Sequence, residues 1–136
     1  MAIVVEDGTG LENSNSYISV NDATVYFSAR GITSWSELTQ EKKEIALIKA
    51  TDYLDNAFEW NGKKKTQEQA LKFPRENLID SDGYKVEGIP LNLKGAECEC
   101  AILIATGTEL FQVLETNGAV TSEKIGELAF TYDVSQ

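Results

Sequence analysis

Thr39-Gln40-Glu41-Lys42-Lys43-Glu44-Ile45-Ala46-Leu47-Ile48-Lys49-Ala50-Thr51-Asp52-Tyr53-Leu54-Asp55-Asn56-Ala57-Phe58-Glu59 is the stretch that decides the fold. Thr39 is a residue type that caps helices through its side-chain oxygen. Glu41 and Glu44 then place negative charge in the first turns, where the helix dipole favours it. Ile45, Ile48, Thr51 or Asp52, and Tyr53 mark one apolar side, widened by Leu47, Leu54 and Phe58. The pattern predicts a helix running to about Glu59, roughly 30 Å long at 1.5 Å per residue. Asn61-Gly62 breaks it.

Working outward, Ser19 followed by Asp22 resembles a capping box with Asp in place of Glu. Ala23, Tyr26, Phe27 and Arg30 follow at helical spacing, and Gly31 supplies a stop, which predicts a helix over about Val20 to Arg30. Trp35 and Leu38 fall in the connector to Thr39. Downstream, Thr66 to Lys72 predicts a short helix that must end at Phe73, because Pro74 disfavours helical geometry in the residue before it. Asp80-Ser81-Asp82-Gly83 lacks the downstream ligands of a calcium loop and reads as a turn or short hairpin. Ile89-Pro90 introduces another long helix, whose apolar side is Leu93, Ala96, Cys100, Leu103 and Ile104. Gly107 kinks or breaks it before Leu110, Phe111 and Leu114, and Asn117-Gly118 closes it.

The ends change period. Ala2 to Val5 is a short β-prone run ended by Asp7-Gly8-Thr9-Gly10. Leu128, Phe130, Tyr132 and Val134 alternate with Ala129, Thr131 and Asp133, a strand pattern with four large side chains on one side. Gly126 permits a bend ahead of it, and Ile125, Gly126, Leu128, Phe130, Tyr132 and Val134 are the candidate subunit-interface residues. The expected fold is mainly α: a small bundle of three main helices plus short helices, with short β segments or extended arms at both termini. A single domain over residues 1–136 is expected, with its core over about 16–118 and an arm over about 119–136.

Composition narrows the chemistry. The chain has 136 residues with 22 acids and 12 bases, a net charge of −10, and no histidine. Absence of histidine removes Ser-His-Asp and Cys-His catalysis and His-ligated metals. Residues 1–45 carry seven acids and three bases, residues 46–90 eight and seven, and residues 91–136 seven and two. Both ends are acidic and the middle is nearly neutral. Lys63-Lys64-Lys65 is the one basic run; it reads as a solvated turn, with phosphate contact as the minority alternative. Cys98 and Cys100, two apart on a helix, point about 200° away from each other and are expected as reduced core residues rather than a disulfide or zinc site. No apolar run approaches a membrane span, and the first residues lack the basic and apolar regions of a signal peptide.

No catalytic pattern emerges, so no enzymatic activity, cofactor or metal is expected. Gly8-Thr9-Gly10 lacks the Lys-Ser/Thr of a phosphate loop. Asp52 and Asp55, beside Lys49, read as a capped or ion-paired helix face. Trp35, Tyr53, Phe58 and Trp60 fall at core spacing, and base-stacking platforms pair aromatics with basic grooves, whereas Glu59 flanks Trp60.

Several strings together carry a resemblance. Val4-Val5-Glu6-Asp7-Gly8-Thr9-Gly10, Asn15-Ser16-Tyr17-Ile18-Ser19-Val20, Ala50-Thr51-Asp52-Tyr53-Leu54-Asp55 and Gln69-Ala70-Leu71-Lys72-Phe73-Pro74-Arg75 resemble a family of small phage and prophage proteins described as DnaT-like single-stranded-DNA-binding proteins. Asp82-Gly83, Ile89-Pro90 and Ser122-Glu123-Lys124-Ile125-Gly126 with Tyr132 extend the similarity along almost the whole chain. Phe73 stands where that family usually has Trp, and Lys63 to Lys65 occupy a region often richer in arginine. The chain also resembles the mostly helical head–tail connector (adaptor) proteins that form rings, typically twelve-fold, below the portal of tailed phages. The two resemblances imply different functions. A single-strand binder is expected to present a cationic groove with exposed aromatics, whereas a connector's acidic lumen lets duplex DNA slide past by repulsion. With a net charge of −10 and only two arginines, charge favours the connector. That reading implies a homo-oligomeric ring, portal and neck or tail proteins as partners, duplex DNA passing without sequence-specific contact, no membrane, and a virion location after synthesis in the host cytoplasm. It also predicts weak affinity for single-stranded DNA, with Lys63, Lys64 and Lys65 as the candidate DNA-facing residues. A small acidic DNA mimic would share the charge without needing the alternating arm.

Overall fold

Ser19 and Thr39 start their helices as their chemistry requires. Ser19 Oγ accepts the Asp22 N–H at 3.0 Å and Thr39 Oγ1 accepts the Lys42 N–H at 3.2 Å. In the computed structural model, which describes residues 3–108 and Leu110, the resulting helices are α1 (Val20–Ala29) and α2 (Gln40–Ala57). A third, α3 (Leu91–Ala105), follows Pro90. A two-residue strand pair, β1 (Lys63–Lys64) and β2 (Arg75–Glu76), lies between α2 and α3 in the chain. The architecture is mainly α, a small bundle as expected.

The core forms where α3 packs chiefly on α2, with α1 against both. Leu47, Ala50, Tyr53 and Leu54 of α2 are fully buried, as are Leu93, Cys98 and Ala101 of α3. Alanines at 46, 50, 96 and 101 keep the side-chain layer thin and so favour close approach of the helices. Ile45 and Ile48 are only half-buried, so the centre of the α2 stripe is Leu47, Ala50 and Leu54. Leu103 and Ile104 are likewise half-buried, and α3 buries its first three turns more completely than its last. Trp35 closes one end of the bundle, with its ring 4.7 Å from that of Phe27 and its Nε1 donating to Thr24 Oγ1 at 3.2 Å. Cys98 and Cys100 are buried free thiols, as the spacing predicts. No helix among the described residues is long and apolar enough to cross a membrane.

The N-terminal extended run is anchored rather than free. Val5 makes a parallel bridge with Ser16, and Asn15 Oδ1 accepts the Val4 N–H at 2.8 Å. The Asp80 turn is a short hairpin, closed by an antiparallel bridge between Ile79 and Lys85, with Asp80 Oδ1 accepting from the Asp82 and Tyr84 amides at 2.9 Å each.

Three expectations are corrected. The helix expected to reach Glu59 ends at Ala57, because Phe58 turns extended and Trp60 enters the core against Phe73, with ring centroids 5.1 Å apart. Residues 66–72 form no helix. Their amides are taken by partners outside a helical ladder: Ala70 N–H donates to Leu11 O at 2.9 Å, and Lys72 N–H to Asp55 Oδ2 at 3.0 Å. Asp55, expected on a capped or ion-paired helix face, is buried for that reason. The C-terminal strand pattern and the candidate interface residues Ile125, Gly126, Leu128, Phe130, Tyr132 and Val134 lie outside the described residues, as do Phe111, Leu114 and Asn117-Gly118.

Candidate nucleic-acid interface

Residues 60–76 hold five of the twelve cations, Lys63, Lys64, Lys65, Lys72 and Arg75, against two acids, Glu68 and Glu76. The fold gathers them on one small unit. Lys63 pairs with Glu76 and Lys64 with Arg75 across the antiparallel β1–β2 ribbon, and Lys65 N–H continues the ladder to Pro74 O at 3.0 Å. Gly62 makes this turn possible. Its φ is +75°, and a Cβ there would stand 2.2 Å from Glu76 O, so a side chain would drive the two strands apart.

Arg75 fixes the ribbon's geometry. Its Nε donates to Asn61 O at 2.7 Å, its Nη1 to Lys72 O at 3.0 Å, and its Nη2 to Trp60 O at 3.1 Å and Gly62 O at 2.9 Å. Four carbonyls on both sides of the turn are held by one planar guanidinium, which a lysine ammonium would not reproduce. Gln69 does the same for the loop between the strands. Its Oε1 accepts Thr66 N–H at 2.9 Å, and its Nε2 donates to Leu71 O at 2.8 Å and Pro74 O at 2.9 Å. The Phe73–Pro74 peptide is cis.

Lys63, Lys64, Lys65 and Lys72 are exposed on this frame. Lys64 Nζ donates to Gln69 O at 3.2 Å and Lys65 Nζ to Gly8 O at 3.5 Å. Neither of these two lysine contacts is an ion pair, and Glu76 stands opposite Lys63 on the ribbon. The aromatics nearest the ribbon face inward: Phe73 is fully buried and Trp60 nearly so.

Carboxylates position this surface from beneath, and sequence reasoning missed them. Glu6 is buried and accepts from the Gly8, Gly10 and Leu11 amides at 2.8 to 2.9 Å, shaping the loop that Lys65 touches. Asp55 Oδ1 accepts the Tyr17 hydroxyl at 2.6 Å while Oδ2 takes Lys72 N–H. Burial raises the Asp55 carboxyl above the usual range, against the opposing pull of these hydrogen bonds. Glu97 is completely buried in α3, where it meets Ser16 Oγ at 2.5 Å and Tyr17 N–H at 2.9 Å, and burial pushes its carboxyl up to about 8. Ser16 Oγ also lies 2.8 Å from Ile18 O. One hydroxyl hydrogen cannot serve both oxygens, so a protonated Glu97 that donates to Ser16 Oγ satisfies all three groups. Glu6 and Asp55 were visible only as members of the Val4 to Gly10 and Ala50 to Asp55 strings, and Glu97 lay in none of the strings.

The family described as "Putative DnaT-like ssDNA binding protein" matches residues 1–136. No curated protein and no solved structure matches the chain. The family match overturns the head–tail connector expectation. The charge argument behind it failed because net charge is a sum over the molecule, whereas phosphate binding responds to the local field. Acids at both ends hide a basic ribbon in the middle. The ring, the portal and neck partners, the sliding duplex and the virion location rested on the connector resemblance and have no support apart from it.

Proposed function

Because the chain belongs to the DnaT-like single-stranded-DNA-binding family, we propose that it binds single-stranded DNA through the β1–β2 ribbon. Lys63, Lys64 and Lys65 neutralise successive phosphates and release their condensed counterions, the dominant source of affinity for such ligands. Lys72 extends the same positive field. Arg75, spent on four carbonyls, positions the lysines rather than touching DNA. The acidic remainder repels phosphate elsewhere and so orients the approaching strand towards the ribbon.

The observation that carries this reading is the concentration of five of twelve cations on one framed turn in an otherwise acidic chain. The test is fluorescence anisotropy with a labelled oligo-dT, comparing wild type with a Lys63→Ala/Lys64→Ala/Lys65→Ala variant at low salt. Wild type is expected to bind, and the variant to bind at least about tenfold more weakly while keeping its circular dichroism spectrum. Equal affinity in the two proteins would remove the ribbon from the interface.

A further inference from the structure

A single-strand binder normally adds stacking to its phosphate contacts, yet Trp60 and Phe73 behind the ribbon are buried. A stacking surface of another kind lies between α1 and α3. The groove there has a volume of about 540 Å³ and is lined by Asp22, Val25, Tyr26, Arg30, Leu91 and Lys94, among others. The Arg30 guanidinium lies over the Tyr26 ring, 3.7 Å from its centroid, and its Nη1 donates to Tyr26 O at 3.1 Å. Tyr26 is held in turn by its hydroxyl, which donates to Glu99 Oε2 at 2.6 Å. The guanidinium plane is therefore fixed before any ligand arrives, and Arg30 is exposed, leaving its outer face open. Val25 is 67% exposed and Leu91 82% exposed, large apolar side chains on the two walls. Lys94, whose backbone N–H donates to Pro90 O at 3.2 Å, lines the groove and adds a second cation.

We infer that this groove takes one base of the bound single strand, stacked on the outer face of Arg30, with Lys94 on the adjoining phosphate. Arginine planes stack nucleobases regardless of sequence, since every base offers a π-face. Burial of Val25 and Leu91 against the base adds apolar contact, and the Asp22 carboxylate offers an acceptor to base N–H groups. The two cations suit a polyanion, and the apolar walls suit its bases. A relay of backbone contacts links the ribbon to the Leu91 wall of the groove. Lys65 Nζ reaches Gly8 O, a Cβ on Gly8 would stand 3.7 Å from Gly88 Cα, and Gly88 leads through Pro90 into Leu91. The inference rests on the single-stranded-DNA reading and adds the base site that the ribbon lacks.

The experiment measures binding of oligo-dT and of an abasic oligonucleotide of equal length by wild type, Arg30→Lys, Leu91→Ser and the triple lysine variant. Arg30→Lys keeps the charge and loses the stacking plane. It is expected to weaken oligo-dT binding by about 5- to 100-fold, the range for losing one stacked base, and to leave the abasic ligand unaffected. Leu91→Ser, at an exposed position that does not test folding, shifts oligo-dT in the same direction by less. The triple lysine variant weakens both ligands, so loss confined to Arg30→Lys would spare the groove and sink the ribbon. Unchanged oligo-dT binding by both Arg30→Lys and Leu91→Ser overturns the base site while leaving the ribbon standing. Equal weakening of both ligands by Arg30→Lys makes Arg30 a phosphate contact and overturns stacking. Self-association that Leu91→Ser abolishes with DNA binding intact assigns the groove to a second copy and overturns the inference. Failure of wild type to bind either ligand overturns both readings.

Discussion

Tyr17 donates its phenolic hydrogen to Asp55 Oδ1 at 2.6 Å and accepts the Phe73 N–H at 3.2 Å, joining the start of the chain, the end of α2 and the loop that carries the ribbon. Tyr17→Phe keeps the edge-on ring contact with Phe73 but leaves a buried carboxyl and a buried amide each short of a partner. The expected cost is about 1–3 kcal/mol, the usual penalty for orphaning buried polar groups. Urea unfolding of the variant and wild type measures it, and a difference below about 0.5 kcal/mol would remove this junction from the framework of the fold.

Glu97 sets a pH dependence. Its folded value of about 8 lies above the ordinary 4.5, so between these values the folded protein keeps a proton that the unfolded chain releases. Stability from this group is complete below pH 4.5 and is lost as pH rises towards 8, with a slope of at most about 1.4 kcal/mol per pH unit. Asp55, also raised by burial, contributes with the same sign from its own lower starting value. Glu97→Gln mimics the protonated acid, donating to Ser16 Oγ and accepting from Tyr17 N–H. Chemical denaturation across pH 5 to 8 is expected to show a shallower decline in Glu97→Gln than in wild type. Parallel curves would show that Glu97 is ionised in the fold.

Gly31 and Gly62 share a positive φ, +70° and +75°, but not their surroundings. A Cβ on Gly31 meets nothing within 4 Å, whereas one on Gly62 meets Glu76 O at 2.2 Å. Gly31→Ala is expected to cost about 1–2 kcal/mol, the left-handed backbone penalty alone. Gly62→Ala adds the clash and opens the ribbon, so it costs more and also weakens oligo-dT binding. Thermal melts and anisotropy on both variants check this; equal effects would mean the ribbon tolerates a side chain at its turn.

Leu54→Ala at a fully buried position of α2 is expected to cost about 2–5 kcal/mol, and Leu103→Ala, half-buried near the end of α3, distinctly less. Equilibrium unfolding of the pair measures the order, and its reversal would move the centre of the core towards the end of α3.

The helices were legible because their signals are local. Ser19 and Thr39 capped as their side chains dictate, and Gly31 and Gly107 followed helix ends where expected, whereas α2 stopped at Ala57, ahead of Asn61-Gly62. The loop after β1 was not legible. Thr66 to Lys72 has helical propensity, but Gln69 from within the segment and Asp55 and Leu11 from distant positions offer its backbone better partners. Glu6, Asp55 and Glu97 were unreadable for the same reason: a carboxylate looks solvated until the fold shows which amides and hydroxyls surround it. The lysine run was visible as a string, but its placement on a framed ribbon depends on Arg75, ten residues further on. Net charge pointed away from the family's chemistry because it averages over surfaces that a nucleic acid never meets together.

The most direct measurement is the salt dependence of oligo-dT affinity for wild type and for the Lys63→Ala/Lys64→Ala/Lys65→Ala variant. For single strands, log affinity falls with log salt by about 0.7 per phosphate neutralised. If the ribbon carries the contacts, wild type binds with a negative slope and the variant's slope is shallower by about 2, with circular dichroism unchanged. A wild type that does not bind at low salt, or two parallel slopes, would contradict the account.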